Sequence, residues 1–207
     1  MGINLNNLGY QETRAAVHGA WEVLQPDAYK CVIVNAELSE SKKGLPMLVF
    51  FVDICEGEYS GHFKRSLERA RGWNREHRWD NAAIYRRTIT ADNGKISPHF
   101  KGFIECIEIS NPGYHINADN FEPRDLIGKK CGFVFGENEF RKHDDTIGTS
   151  VYIAQPVSTV DVANGNYKIP PLKKLDDKNK PQPQPAKKSA DDYYYNNSAI
   201  DDSDVPF

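Results

Sequence analysis

The sequence has no long apolar run: the longest, Met47 to Val52, falls far short of the roughly 20 residues needed to cross a bilayer. No spanning helix is expected. The N-terminus, Met1-Gly2-Ile3-Asn4-Leu5-Asn6-Asn7, lacks a basic start followed by an apolar core, so no secretory signal is expected and the cytoplasm is the expected location. Cysteine is sparse and unpaired by spacing. Cys31, Cys55, Cys106 and Cys131 include no Cys-x-x-Cys, and three of them sit in apolar stretches, as small structural hydrophobes do. No two of the six histidines lie three to five residues apart, which argues against a zinc site. A Gly-rich phosphate loop, a Gly-x-Ser-x-Gly elbow and a dinucleotide fingerprint are also missing, so neither a metal nor a cofactor is expected. No heptad seam marks an oligomer.

What is present is charge segregation. The net charge of -3 conceals three regimes. Residues 1–172 are nearly balanced and hold every tryptophan and all but one phenylalanine, which marks them as the folded body. Residues 173–189 carry six lysines against Asp176 and Asp177, together with Pro181-Gln182-Pro183-Gln184-Pro185, and read as an extended linker. Residues 190–207 hold five aspartates with no Lys or Arg, the composition of an acidic disordered tail.

Within the body, His62 to Thr88 gathers Lys64, Arg65, Arg69, Arg71, Arg75, Arg78, Arg86 and Arg87 against three acidic residues. Phe63, Trp73, Trp79 and Tyr85 are interleaved with them. Cations that track phosphates and flat rings that stack on bases suit a single-stranded nucleic acid. A solvated helix whose tryptophans face the core has the same composition, and both readings stand at this level.

Tyr29 to Leu38 and Met47 to Ile54 read as two strands joined by the turn Ser39 to Pro46, which contains Lys42 and Lys43. In the second strand Leu48, Phe50, Val52 and Ile54 share one face, while Met47, Val49, Phe51 and Asp53 share the other. Glu56 to Phe63 reads as a turn into a third, irregular strand, with the basic segment inserted after it as a helix. Ser97-Pro98 signals a helix start, the apolar spacing of Phe100, Phe103, Ile104 and Ile107 continues the helix, and Asn111-Pro112-Gly113 ends it. Strands are expected again at Lys130 to Phe135 and Thr149 to Ala154, around a polar loop from Gly136 to Gly148. Three strands, a helix and two strands describe a mostly β chain built as a five-stranded OB-type barrel, in which the helix between strands 3 and 4 closes one end and the face of strands 2 and 3 with its loops binds oligonucleotides.

The last seven residues, Asp201-Asp202-Ser203-Asp204-Val205-Pro206-Phe207, resemble the acidic tip of bacterial single-stranded DNA-binding proteins, with Val205 where those tips usually carry Ile. The body is similar to the single-stranded DNA-binding proteins of bacteriophages through Ala36-Glu37, Ser41-Lys42-Lys43-Gly44, Pro46-Met47-Leu48, Asp53-Ile54 and Glu56-Gly57-Glu58-Tyr59. The similarity covers Tyr29 to Phe63 and, more loosely, Phe100 to Asn111. From Lys64 to Pro98 no family motif aligns, and contacts there rest on composition. The resemblance implies a protein without catalysis that coats single-stranded DNA in phage replication, recombination or repair. It also implies that Asp201, Asp202, Asp204, Val205, Pro206 and Phe207 recruit host or phage replication and repair proteins. The candidate strand contacts are Lys42, Lys43, Phe51, Phe63, Lys64, Arg65, Arg69, Arg71, Trp73, Arg75, Arg78, Trp79, Tyr85, Arg86 and Arg87. Rival readings are an RNA-binding protein or chaperone, and a metal-dependent nuclease using Asp53, Glu56 and Glu58.

Overall fold

Side chains that alternate along an extended chain sort a strand's two faces, and one interior strand of this protein shows it. In a computed structural model that describes residues 23–72 and 79–175, strand β2 (Pro46–Ile54) buries Leu48, Phe50, Val52 and Ile54 on one side and leaves Met47, Val49 and Phe51 half-buried on the other. It pairs antiparallel with β1 (Ala28–Glu40). The pairing slips between Ile33 and Asn35, so Val34 bulges and both Ile33 and Ala36 reach the core.

The chain continues through helix α1 (His62–Gly72), a short 3-10 turn (Asn81–Ala83), β3 (Ile84–Thr88) and α2 (Pro98–Ser110). A second 3-10 turn (Pro123–Leu126), β4 (Lys130–Arg141), β5 (Ile147–Val157) and α3 (Thr159–Asn164) complete it. The five strands form one antiparallel sheet in the order β3-β2-β1-β4-β5. β3 and β5 are its two edges, and among the described residues no ladder joins them. The 3-10 turn before β3 nevertheless lies against β5.

The core fills one side of the sheet. Phe50, Tyr85, Phe103 and Phe133 form one ring cluster, with Phe50 and Phe103 centroids 4.7 Å apart. Phe63, Phe135 and Tyr29 form another. Helix α2 packs against β3, β4 and β5 and buries Phe100, Phe103, Ile104 and Ile107, each contributing about 1.5–3 kcal/mol.

Four local expectations are corrected. The third strand lies at Ile84–Thr88 rather than within Glu56 to Phe63. There Gly57 and Gly61 take positive φ, 86° and 72°, which breaks an extended run, and His62 starts a helix. The stretch Gly136 to Gly148 is mostly ladder rather than loop. β4 and β5 run on as a hairpin past the core, so their residues there are polar although extended. Ser97 occupies the N-cap position of α2, but its side chain makes no capping bond. Lys173 to Leu175, grouped with the linker by composition, are hydrogen-bonded to β4. The remaining linker and the tail, including Asp201, Asp202, Asp204, Val205, Pro206 and Phe207, lie outside the described residues, as do residues 1–22 and 73–78. Among the described residues no helix is long and apolar enough to cross a membrane.

Candidate nucleic-acid interface

Because Phe50 and Tyr85 are ladder partners and both are buried, the residues that alternate with them share the opposite face. On that face β1, β2 and β3 set three rows. Asn35, Phe51 and Ile84 form one, Glu37, Val49 and Arg86 the next, and Ser39, Met47 and Thr88 the third. Phe51 is half-buried and Arg86 exposed. An aromatic ring thus lies one row from a cation on a sheet surface.

The rows end at the β1–β2 turn, which Ser41 closes by accepting the Gly44 amide at 2.9 Å and the Leu45 amide, through Oγ, at 3.1 Å. Lys42 and Lys43 project from it exposed, with Lys43 paired to Asp92 at 3.2 Å. At the other end of β2, Asp53 points to the same side as Phe51 but is buried, because its carboxylate caps α1. Oδ1 accepts the amides of Ile54 (2.9 Å) and Phe63 (3.0 Å), and Oδ2 accepts that of Lys64 (3.3 Å). Lys64, Arg65 and Arg69 are exposed on the helix so anchored. The Arg65 guanidinium donates to the Ser60 carbonyl, and Arg69 Nε donates to the Arg65 carbonyl at 3.3 Å.

Several expected contacts are reassigned. Phe63 is 1% exposed and stacks on Phe135, so the ring is core. Tyr85 is 4% exposed beside Phe50, and burial raises its phenol pKa despite the hydroxyl's bond from Arg87. Neither ring can receive a base. Trp79 is half-buried against the core, with its indole N–H committed to the Val52 carbonyl at 3.2 Å. Arg86 and Arg87 part company: Arg87 turns to the core side, where Nε donates to the Tyr85 hydroxyl at 2.8 Å. It lines a groove of about 320 Å³ with His99, Cys106, Gln155 and Pro156, between the β3 and β5 edges. Arg71 falls in the last turn of α1. Trp73, Arg75 and Arg78 lie outside the described residues.

The carboxylates of the nuclease reading have structural partners. Asp53 is the helix cap. Glu56 accepts Lys30 Nζ and Lys130 Nζ, both at 2.9 Å, which holds its carboxyl below the ordinary glutamate range and raises Lys130. Glu58 lies in the turn before α1. Burial pushes the Cys31 and Cys131 thiols well up.

Sequence reasoning passed over the β4–β5 hairpin tip, where Phe140 is 39% exposed and Arg141, Lys142 and His143 follow it. The signal was an aromatic residue followed by three basic or titratable ones, hidden by reading the whole stretch as a loop. No family model matches the chain, and no curated protein matches it.

Proposed function

We propose that this protein binds single-stranded DNA without reading its sequence, coats it during replication, recombination or repair, and recruits partner proteins through its acidic C-terminal segment. The observation that carries the reading is the outward face of β1, β2 and β3. Phe51 lies beside Ile84 in one row and Arg86 beside Val49 in the next, between a dilysine turn and a cationic helix. Rings for bases and cations for phosphates on one surface are what strand binding requires.

We further propose that the sheet is an OB-type barrel whose edges approach without a full ladder. The strand order, the helix between β3 and β4, and the turn before β3 resting on β5 support this. The acidic residues Asp201, Asp202 and Asp204 would present Val205, Pro206 and Phe207 to basic pockets on partners.

The test is a titration of labelled single strands of unrelated sequence, with duplex DNA and RNA as competitors and magnesium present. Similar affinity for the unrelated DNA strands, weak competition by duplex or RNA, and an intact strand afterwards support the reading. Preference for RNA would move the protein to the RNA-binding class, and strand cleavage would make it a nuclease.

A further inference from the structure

The β4–β5 hairpin sets glycines opposite aromatic side chains on the face away from the core. Gly136 faces Tyr152 across the ladder, and Phe140 faces Gly148. A Cβ at Gly136 would come within 3.0 Å of the Tyr152 Cζ and Oη, and one at Gly148 within 3.0 Å of the Phe140 Cζ. Each ring therefore reclines across the opposite strand, in space that only glycine leaves. Asn138 and Ser150 are hydrogen-bonded between them at 3.2 Å. Rings laid along a sheet surface are what single-stranded bases stack on.

Of these two rings, Tyr152 is covered. After α3 the chain returns along the hairpin as a strap. The Lys173 amide donates to the Glu137 carbonyl and the Glu139 amide to the Lys173 carbonyl, both at 2.9 Å. The Leu175 amide donates to Glu139 Oε2 at 2.9 Å, and Pro170 packs over Gly136. This fixes Lys173 so that its ammonium stands 3.8 Å from the centroid of the Tyr152 ring. A stacked base would occupy that same position.

We infer that Tyr152 is a base-stacking position and that Lys173 covers its ring until a strand arrives. The inference rests on the single-strand reading above and adds a second platform, with its own built-in competitor, to the Phe51 face. An ammonium over such a ring contributes about a 2- to 5-fold preference. A base stacked on a ring contributes about 5- to 150-fold, so the strand displaces the lysine. Only the side chain has to swing. The strap's backbone bonds stay, and the freed ammonium turns to a neighbouring phosphate.

The experiment uses the full chain and a labelled oligothymidine, with thermal melting to confirm folding. Tyr152→Leu is expected to weaken binding by about 5- to 150-fold. Lys173→Gln is expected to be more favourable by about 2- to 5-fold with the ring present than in the Tyr152→Leu background. Unchanged affinity in folded Tyr152→Leu overturns the stacking, and an equal Lys173→Gln effect in both backgrounds overturns the cover. Should Tyr152→Leu fail to fold, photocrosslinking of the natural chain to a 5-iodouracil strand decides. An adduct on the peptide holding Tyr152 supports the inference, and adducts confined to other peptides overturn it. A natural chain that does not bind the oligonucleotide removes the single-strand reading itself, and this inference with it.

Discussion

The Asp53 carboxylate at the end of β2 accepts the backbone amide of Phe63 at 3.0 Å, and so ties the start of the cationic helix to the sheet. The same carboxylate takes the Lys64 amide, so two of the helix's orphan donors end on one buried acid. Asp53→Ala is expected to cost roughly 1–3 kcal/mol of stability, because the amides are left without an acceptor in a buried place. Urea denaturation measures this, and a loss below a few tenths of a kcal/mol would remove the capping role.

Arg86 and Arg87 separate two effects that composition merges. Arg86 is exposed beside Val49, whereas the Arg87 guanidinium is spent on the Tyr85 hydroxyl. Arg86→Ala should lower the log-log salt slope of strand binding by roughly 0.7, the value of one phosphate contact. Arg87→Ala should leave the slope unchanged and lower the melting temperature instead. Equal slope changes in both variants would contradict the assignment of the two faces.

Glu56 gives a pH signature. Its hydrogen bonds from Lys30 and then Lys130 depress its folded pKa, so the stability it contributes is present above the ordinary glutamate value and is lost as pH falls through the depressed one. Lys130 is raised by the same bond, and its share disappears as pH rises through that raised value. Glu56→Gln should therefore flatten the stability profile both below the ordinary glutamate range and above the ordinary lysine range. Denaturation midpoints across pH test it, and a profile parallel to the natural chain's would show that the triad contributes nothing.

How far the sequence disclosed these features depends on whether a local pattern or a distant partner decides them. The alternation in Met47 to Ile54 and the spacing of Phe100, Phe103, Ile104 and Ile107 are local, and β2 and α2 lie where those patterns put them. Phe63 and Tyr85 looked like strand contacts because cations surround them in sequence. Their burial is set by Phe135 and Phe50, far along the chain. β3 was missed for a related reason: Ile84 to Thr88 contains two arginines, and only its pairing to β2 shows that they face opposite ways. The hairpin from Gly136 to Gly148 is polar because it leaves the core, which composition cannot distinguish from a loop.

Phe51 and Phe63 give the sharpest contrast between the two kinds of aromatic. Both lie near the cationic helix in sequence, yet Phe51 is half-buried on the outward face beside Asn35 and Ile84, while Phe63 is enclosed by Phe135 and His62. A ring on the surface can stack on a base, and its truncation to Leu should weaken strand binding by about 1–3 kcal/mol with little loss of stability. A ring in the core cannot meet the strand. Phe63→Leu leaves a partial cavity and should lower stability by roughly 1–3 kcal/mol, while the fraction that remains folded binds as before. The two measurements, denaturation and anisotropy titration under conditions where both variants are folded, form a crossed pair. If Phe63→Leu weakens binding as much as Phe51→Leu does, the strand does not run over the outward face of β1, β2 and β3.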